Sequence, residues 1–499
     1  MASSLVKAFD SLFKLVDEYD APWWQVIAVI LACITARSVF EGLLEAGGTL
    51  WTLQRIVYEA PFYLSVLASI AGAVALLTRQ RFFDVVKKSV FLVPVIILPP
   101  FLDFFVTGGK GLEVRYFTDP SLWLNNLLGF GITEGATLGI RLEGLIVCFF
   151  VVAYVLYKTR SIWLAAAGAI AAHVLTYLAG YLPAPFLAWG QRIEDAQLGT
   201  LFLLSLLSTV VGAFLFEERK KLFAVLRNVR VLNSLHYALA TVAGMFIALK
   251  IGPGFVPALT AKVLITCAAA LAAVFFSFQS HVWLNDLSDK DGDAFKKRKR
   301  PLFEGFSEKE AVFTAAVFAV LAFLFAFCAN EKILVLVLAG NALAFLYSFG
   351  PRFKRVPILS SLVISLLTLL AMLAGFWAVR SFSSFDNFPL GIALTVVVAF
   401  TLSAGIRDLK DVQGDRKMNV YSLPVLLGER KGRIATAVMV FAAFLCVPLL
   451  MNLPALWPFA LVLGAAALFF TLSRDDPEPF VYACYFAFFA ALAWFYNFG

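Results

Sequence analysis

Two short polar stretches decide how this chain is read: Asn285-Asp-Leu-Ser-Asp-Lys-Asp-Gly-Asp293 and Arg407-Asp-Leu-Lys-Asp-Val-Gln-Gly-Asp415. Each follows a long apolar run, and when aligned both read Asp-Leu-x-Asp-x-x-Gly-Asp. The acids stand at 286, 289 and 293 in the first copy and at 408, 411 and 415 in the second. On an α-helix, offsets of three and seven residues keep each trio within about 60°. Each copy is therefore expected to offer one carboxylate face at the end of an apolar span, with Asp291 pointing elsewhere. Six carboxylates brought together repel one another unless cations lie between them. Oxygen-only clusters suit hard ions, and Mg²⁺ typically takes a few carboxylates and keeps its other positions for water or phosphate oxygens. The flanking cations suit a phosphate too: Lys290, the run Lys296 to Arg300, Arg352, Lys354, Arg355, Arg416 and Lys417. A diphosphate bridged by metal between two acidic helices is the simplest ligand with this pattern. A wet, charge-rich loop accounts for one such stretch as well as a site does. Two stretches in the same register, with Leu and Gly also matched, favour the site.

The surroundings of these stretches fix the class. Of 499 residues, 61% are hydrophobic and only 15% charged, against about 45–50% and about 25% in soluble proteins. There is too little polar surface to cover a soluble particle of this size. That excludes disordered, collagen-like, disulfide-scaffold and ordinary cytosolic classes. Apolar runs near the roughly 20 residues needed to cross a bilayer occur at about 23–45, 59–77, 88–107, 138–157, 161–181 and 197–216. After a polar stretch they resume at about 231–251, 257–284, 310–328, 332–349, 357–379, 388–406, 433–451, 455–472 and 479–497. The expectation is an all-α integral membrane protein of about 15 transmembrane helices, six and then nine. Residues 1–216 form the six-helix domain, 217–230 a charged cytoplasmic linker, and 231–499 the nine-helix domain.

Threading the spans up and down sends 31 of the 41 Lys and Arg residues to the side of the N-terminus. The positive-inside rule places that side, with both acidic stretches, in the cytoplasm and the C-terminus outside. The net charge of +8 therefore reads as topology, and no nucleic-acid partner is expected. Cys33, Cys148, Cys267, Cys328, Cys446 and Cys484 stand singly inside apolar runs and read as small buried hydrophobes. At the N-terminus, Leu5, Phe9, Leu12, Phe13 and Val16 fall at helical spacing between charged residues. This predicts an amphipathic helix lying on a membrane face.

The paired stretches resemble the UbiA superfamily of intramembrane prenyltransferases. The family's NDxxDxxxD motif reads here Asn285-Asp286-x-x-Asp289-x-x-x-Asp293, and its DxxxD reads Asp411-x-x-x-Asp415. Its sequel to the first motif is Arg300-Pro-Leu-Phe-Glu-Gly305. The runs Gly414-Asp-Arg-Lys417, Ser422-Leu-Pro-Val425 and Tyr347-Ser-Phe-Gly-Pro-Arg-Phe-Lys354-Arg355 also look like the family's. The resemblance covers about residues 222–499. It implies a nine-helix fold that uses Mg²⁺ to bind a prenyl diphosphate donor and transfers the prenyl group to a lipid or aromatic acceptor.

By that resemblance Asp289, Asp293, Asp411 and Asp415 are the main metal ligands and catalytic residues, with Asp286 and Asp408 completing the metal set. Asn285, Lys290, Arg300, Tyr347 and Lys354 would bind the diphosphate. Some members carry Arg where this chain has Lys290, which exchanges a bidentate grip for a point charge. The tyrosine-to-lysine spacing is longer than in members that prenylate hydroxybenzoate. A glycerol-phosphate ether lipid and an aromatic quinone precursor both stay open as acceptor. The alternative from another class is a non-catalytic lipid carrier or scramblase on the same fold, which has no need of six acids in register. His281, one turn before Asn285, is placed to touch the acceptor or the diphosphate but reads first as a packed or interfacial histidine, and His173 and His236 lack metal-ligand spacing. In residues 1–216, Arg37 and Glu41 can pair on one helix face, Arg141 and Glu143 begin another span, and Asp103 follows two helix-breaking prolines. Both helix pairing and a polar cavity for a headgroup or acceptor are open for them.

Overall fold

Among the described residues of the computed structural model, fourteen helices are long and apolar enough to cross a bilayer, or fifteen with one bent pair counted as a single span. The structure describes residues 2–44, 53–112, 116–132, 136–250, 260–290, 306–381, 387–410, 412–417 and 420–498. Among them the regular structure is helical throughout, as expected of an all-α integral membrane protein. The bent pair falls where a straight span at 88–107 is predicted: Phe82–Phe91 and Val93–Val106 meet at 50°. Pro94, Pro99 and Pro100 lie in its second half. Each removes a backbone donor and crowds the preceding turn, so the stretch runs through 3₁₀ turns before an α-helix resumes at Leu98.

The chain divides into two compact units. The first holds Met1–Phe223 and Thr260–Ile265, the second Ala224–Leu259 and Thr266–Gly499. The helices of the first are α1 (Ala2–Asp17), α2 (Trp23–Leu44), α3 (Leu53–Thr78), α4 (Phe82–Lys88), α5 (Leu98–Val106), α6 (Leu138–Thr159), α7 (Ile162–Gly180) and α8 (Asp195–Glu217), followed by α9 (Arg219–Arg227). Stretch 217–230, expected as a linker, is thus largely helical, with a break at Glu218. The core of this unit interleaves alanines with valines and aromatic rings. Ala68, Ala71 and Ala75 of α3 meet Val151 and Val155 of α6 and Ala165 and Ala172 of α7. Helix α1 buries Phe13 in the same core and is tied down at its end, where Asp17 receives Lys88 (2.8 Å) and Lys158 (2.9 Å). Its apolar stripe faces protein helices as well as any membrane. Arg37 is fully buried, paired with Glu41 and donating to Ile96 O (2.6 Å) and Glu143 (3.3 Å). Asp103 accepts from Gly139 N at 2.8 Å. These contacts link helices, which is how polar groups in apolar surroundings are satisfied.

The second unit holds α10 (Val231–Lys250), α11 (Ala261–Ser288) from Thr266 on, α12 (Glu308–Ala329), α13 (Glu331–Ser348), α14 (Pro357–Val379), α15 (Leu390–Ser403), α16 (Glu429–Leu450), α17 (Trp457–Ser473) and α18 (Glu478–Phe498). Helix α14 packs against α10, α13 and α15 and buries Val363, Thr368, Ala371, Phe376 and Trp377. Its crossing with α10 is very close. A Cβ added to Gly244 would lie 1.8 Å from Met372 O, and one added to Gly375 would lie 1.8 Å from Thr241 O. Only hydrogen fits at those two positions, so the glycines set how near the helices come.

Candidate active site

The two acidic stretches do not form matching helices. In the first copy α11 ends at Ser288, so Asn285 and Asp286 are helical while Asp289 lies in the turn beyond. In the second copy Ala404–Lys410 is a 3₁₀ segment and a short helix begins again at Val412. At about three residues per 3₁₀ turn, the expected α-helical face is replaced by a tighter coil. Asp293, Arg300 and Asp411 lie outside the described residues.

What the two copies share is a cavity. Asn285 and Asp289 from the first, and Arg407, Asp408 and Asp415 from the second, line one chamber of about 300 Å³, together with Tyr347 and Lys354 from between them. Its lining has a polar and an apolar part. The apolar arm is supplied by Val274, Leu336, Val337, Leu367, Leu370, Ala371 and Ala374. The polar end is tied together by hydrogen bonds. Asn285 Nδ2 donates to Asp289 Oδ2 (3.0 Å), and Asn285 Oδ1 accepts from Ser348 Oγ (3.0 Å). Lys354 Nζ donates to Asp289 Oδ1 (2.5 Å) and to Ser288 Oγ (2.8 Å). Lys354 reaches this point from a tight turn in which Gly350 and Arg352 take positive φ, 61° and 52°. Tyr347 accepts from Ser360 at 3.4 Å.

Two residues of the expected set lie elsewhere. Asp286 faces away from the cavity: it is 2% exposed and accepts from Arg230 Nη2 (2.7 Å) and Asn228 Nδ2 (3.0 Å). Next to Asn285 on a helix, its side chain turns by about 100°, so the two cannot share one face. Arg230, which it holds, does line the cavity. Lys290 pairs with Glu308 at 2.6 Å and is absent from the cavity lining.

A second chamber of about 200 Å³ adjoins the first through shared wall residues Asn233, Tyr237, Ile364, Ala404 and Arg407. Its lining is almost wholly apolar, with Phe400, Phe444, Tyr485 and Phe488 prominent. There His236 meets Thr368 Oγ1 at 2.9 Å. Sequence reasoning passed over Arg407 and Arg230. The signal for Arg407 was its register, since it occupies in the second copy the place of Asn285 in the first.

Residues 237–478 match the UbiA prenyltransferase family. A digeranylgeranylglyceryl phosphate synthase from Methanopyrus kandleri is 30% identical over 259 residues, covering 49% of this chain and 85% of that protein. The chain belongs to the UbiA prenyltransferase family. A second such synthase, from Haloquadratum walsbyi, is 27% identical over 244 residues, covering 47% of this chain and 79% of that protein. A solved UbiA homologue from Archaeoglobus fulgidus bound to GPP and Mg²⁺ superposes with a TM-score of 0.42 and 20% identity over 54% of this chain and 99% of its own. In this UbiA chain, no three His, Cys, Asp or Glu side chains among the described residues stand close enough to share one ion. The chemistry of the donor set nevertheless fits Mg²⁺: Asp289, Asp408 and Asp415 bring hard carboxylate oxygens to one chamber.

Proposed function

We propose that the second unit transfers a prenyl group from a prenyl diphosphate to the hydroxyl of a glycerol-phosphate ether lipid, with Mg²⁺ as cofactor. The observation that carries this reading is a single chamber with repeated acids and cations at one end and an apolar arm at the other. That is the shape and charge of an isoprenoid diphosphate. The ether-lipid acceptor is favoured over an aromatic one by the names of the two synthases it resembles.

Asp289, Asp408 and Asp415 would hold Mg²⁺, with Asp293 and Asp411 completing the set. The bound ion supplies positive charge next to the leaving diphosphate. Arg407, Lys354 and Arg230 give the diphosphate oxygens charge-assisted donors, and Arg300 adds to them. Lining one chamber, these groups stabilise the charge that develops as the C–O bond weakens. Asn285 and Ser348 hold Asp289 in orientation. Asp286 serves by holding Arg230. Tyr347 presents a hydroxyl to the chamber, and Lys290 stands at its cytoplasmic approach. The apolar arm keeps the prenyl chain and the allylic cation away from water. The N-terminus and the polar end of the chamber face the cytoplasm and the C-terminus faces outward, as the distribution of cations requires.

The test is turnover by the full chain in lipid nanodiscs, using labelled geranylgeranyl diphosphate and acceptors that carry glycerol-phosphate or phenol groups, with and without Mg²⁺. An ether product that needs Mg²⁺ and the glycerol-phosphate lipid is the expected result. Lipid movement with no covalent product would favour a carrier.

A further inference from the structure

Forming an ether releases the proton of the acceptor hydroxyl, and none of the groups assigned above is free to take it. Asp289 already holds Lys354, the carboxylates of the chamber are assigned above to the metal, and its tyrosines carry O–H groups that are donors at neutral pH. One basic nitrogen is left. His281, one turn before Asn285 on α11, also lines the chamber. Its Nε2 lies 2.7 Å from Asn341 Oδ1. Asn341 is itself oriented, because its Nδ2 donates to Val337 O at 2.7 Å. An amide oxygen only accepts, so the proton of the neutral ring sits on Nε2 and the lone pair on Nδ1. Nδ1 has no hydrogen-bond partner among the described residues, and it is not among the atoms shut away from solvent. His173, by contrast, donates to Leu127 O through Nε2 while its Nδ1 is buried.

The depth is also suitable. At 1.5 Å per residue, His281 lies about 6 Å along the helix from Asn285 and about 12 Å from Asp289. A diphosphate held at Asp289 would place the carbon that loses it toward His281 and its chain along Phe278 and Val274, which line the same chamber. From this geometry we infer that His281 is the general base that takes the acceptor's proton, with Asn341 as the positioning residue that fixes its tautomer. The step balances. The acceptor O–H breaks and its proton goes to Nδ1, the oxygen bonds to the allylic carbon, and the C–O electron pair leaves with the diphosphate. The imidazolium then passes its proton to water. This rests on the ether-forming reading above, because a carbon nucleophile would release its proton from another place.

Two measurements on the full chain test it, with geranylgeranyl diphosphate, Mg²⁺ and geranylgeranylglyceryl phosphate as probes. The first is kcat for ether formation. His281→Leu is expected to lose about 100-fold or more, the usual range for a general base, with the donor KM little changed. Added imidazole should restore part of the loss in His281→Gly. Asn341→Leu should lower kcat, while Asn341→Asp, which still accepts from Nε2–H, should keep it. The second is ¹⁸O scrambling within the donor diphosphate, which reports ionisation of the C–O bond and needs no base. His281→Leu should still scramble, which also shows that it is folded. Loss of scrambling along with turnover, or turnover within about threefold of wild type, would overturn the assignment of the base. Absence of any ether from the wild type would overturn the reading it rests on.

Discussion

Lys354 Nζ lies 2.5 Å from Asp289 Oδ1, so in the free protein a lysine occupies an oxygen that the proposed metal site also uses. Substrate binding therefore has to share or exchange that oxygen, and the lysine is already placed to move onto a phosphate. Replacing Asp289 with Asn is expected to lower Mg²⁺-dependent turnover by at least about 100-fold, in line with the loss of a group acting on the developing charge. Lys354→Met should instead raise the donor KM more than it lowers kcat. Steady-state kinetics at varied donor and Mg²⁺ would check both, and an unimpaired Asp289→Asn protein would remove Asp289 from the site.

Asp286 and Arg230 make a different kind of pair. The Asp286 side chain is 1% exposed, and it serves two donors from 228–230. Asp286→Asn removes the charge that Asp286 sets against Arg230, at an expected cost of about 1–3 kcal/mol. The result should be a lower Tm in detergent with an unaltered Mg²⁺ requirement. A raised Mg²⁺ requirement at unchanged Tm would return Asp286 to the metal set.

The crossing of α10 and α14 gives a purely steric prediction. Gly244→Ala and Gly375→Ala each drive a methyl into a facing carbonyl, and overpacking of this kind costs about 1–3 kcal/mol or more. Gly72→Ala, which meets nothing within 4 Å, is the control and should not lower Tm. Equal melting temperatures for all three would mean that the crossing can open without cost.

Acid should loosen α1. Burial alone pushes the Asp17 carboxyl up, but the ammonium groups of Lys88 and Lys158, with Gln80, override it and hold it well below the usual carboxylate range. A group whose folded pKa is depressed adds stability that is complete above its unfolded value, about 3.9, and is lost as pH falls through the folded value. Hydrogen exchange of α1 should therefore show protection in wild type that exceeds that of Asp17→Asn near neutral pH and converges with it in strong acid. A difference that grows on acidification would refute the sign.

Much of this was open to inspection in the chain. The spans were legible because lipid leaves no alternative to a run of apolar residues in a helix, and the repeat at 285–293 and 407–415 located the chamber. Secondary structure inside the repeat was not legible: an offset of three falls near one face at a period of 3.6 or of 3.0, so the 3₁₀ segment at 404–410 read as α. Asp286 and Asp289 have the same chemistry, and only the direction each takes from the end of α11 separates a partner of Arg230 from a residue of the cavity wall. Arg230 itself lies far from both motifs in sequence, and nothing local marks it. His281 was visible but undecided, because its role depends on the orientation of Asn341, sixty residues on.

The repeat also carries a broken symmetry. Asn285 and Arg407 hold the same place in its two copies, and both line the chamber, but one is a neutral amide and the other a permanent cation. Two halves descended from one ancestral hairpin would, if identical, accept an elongated anion in either of two opposite orientations. The exchange at that position, one of four between the copies, makes the two sides of the chamber unlike in charge, which would favour one orientation of a bound diphosphate over the other.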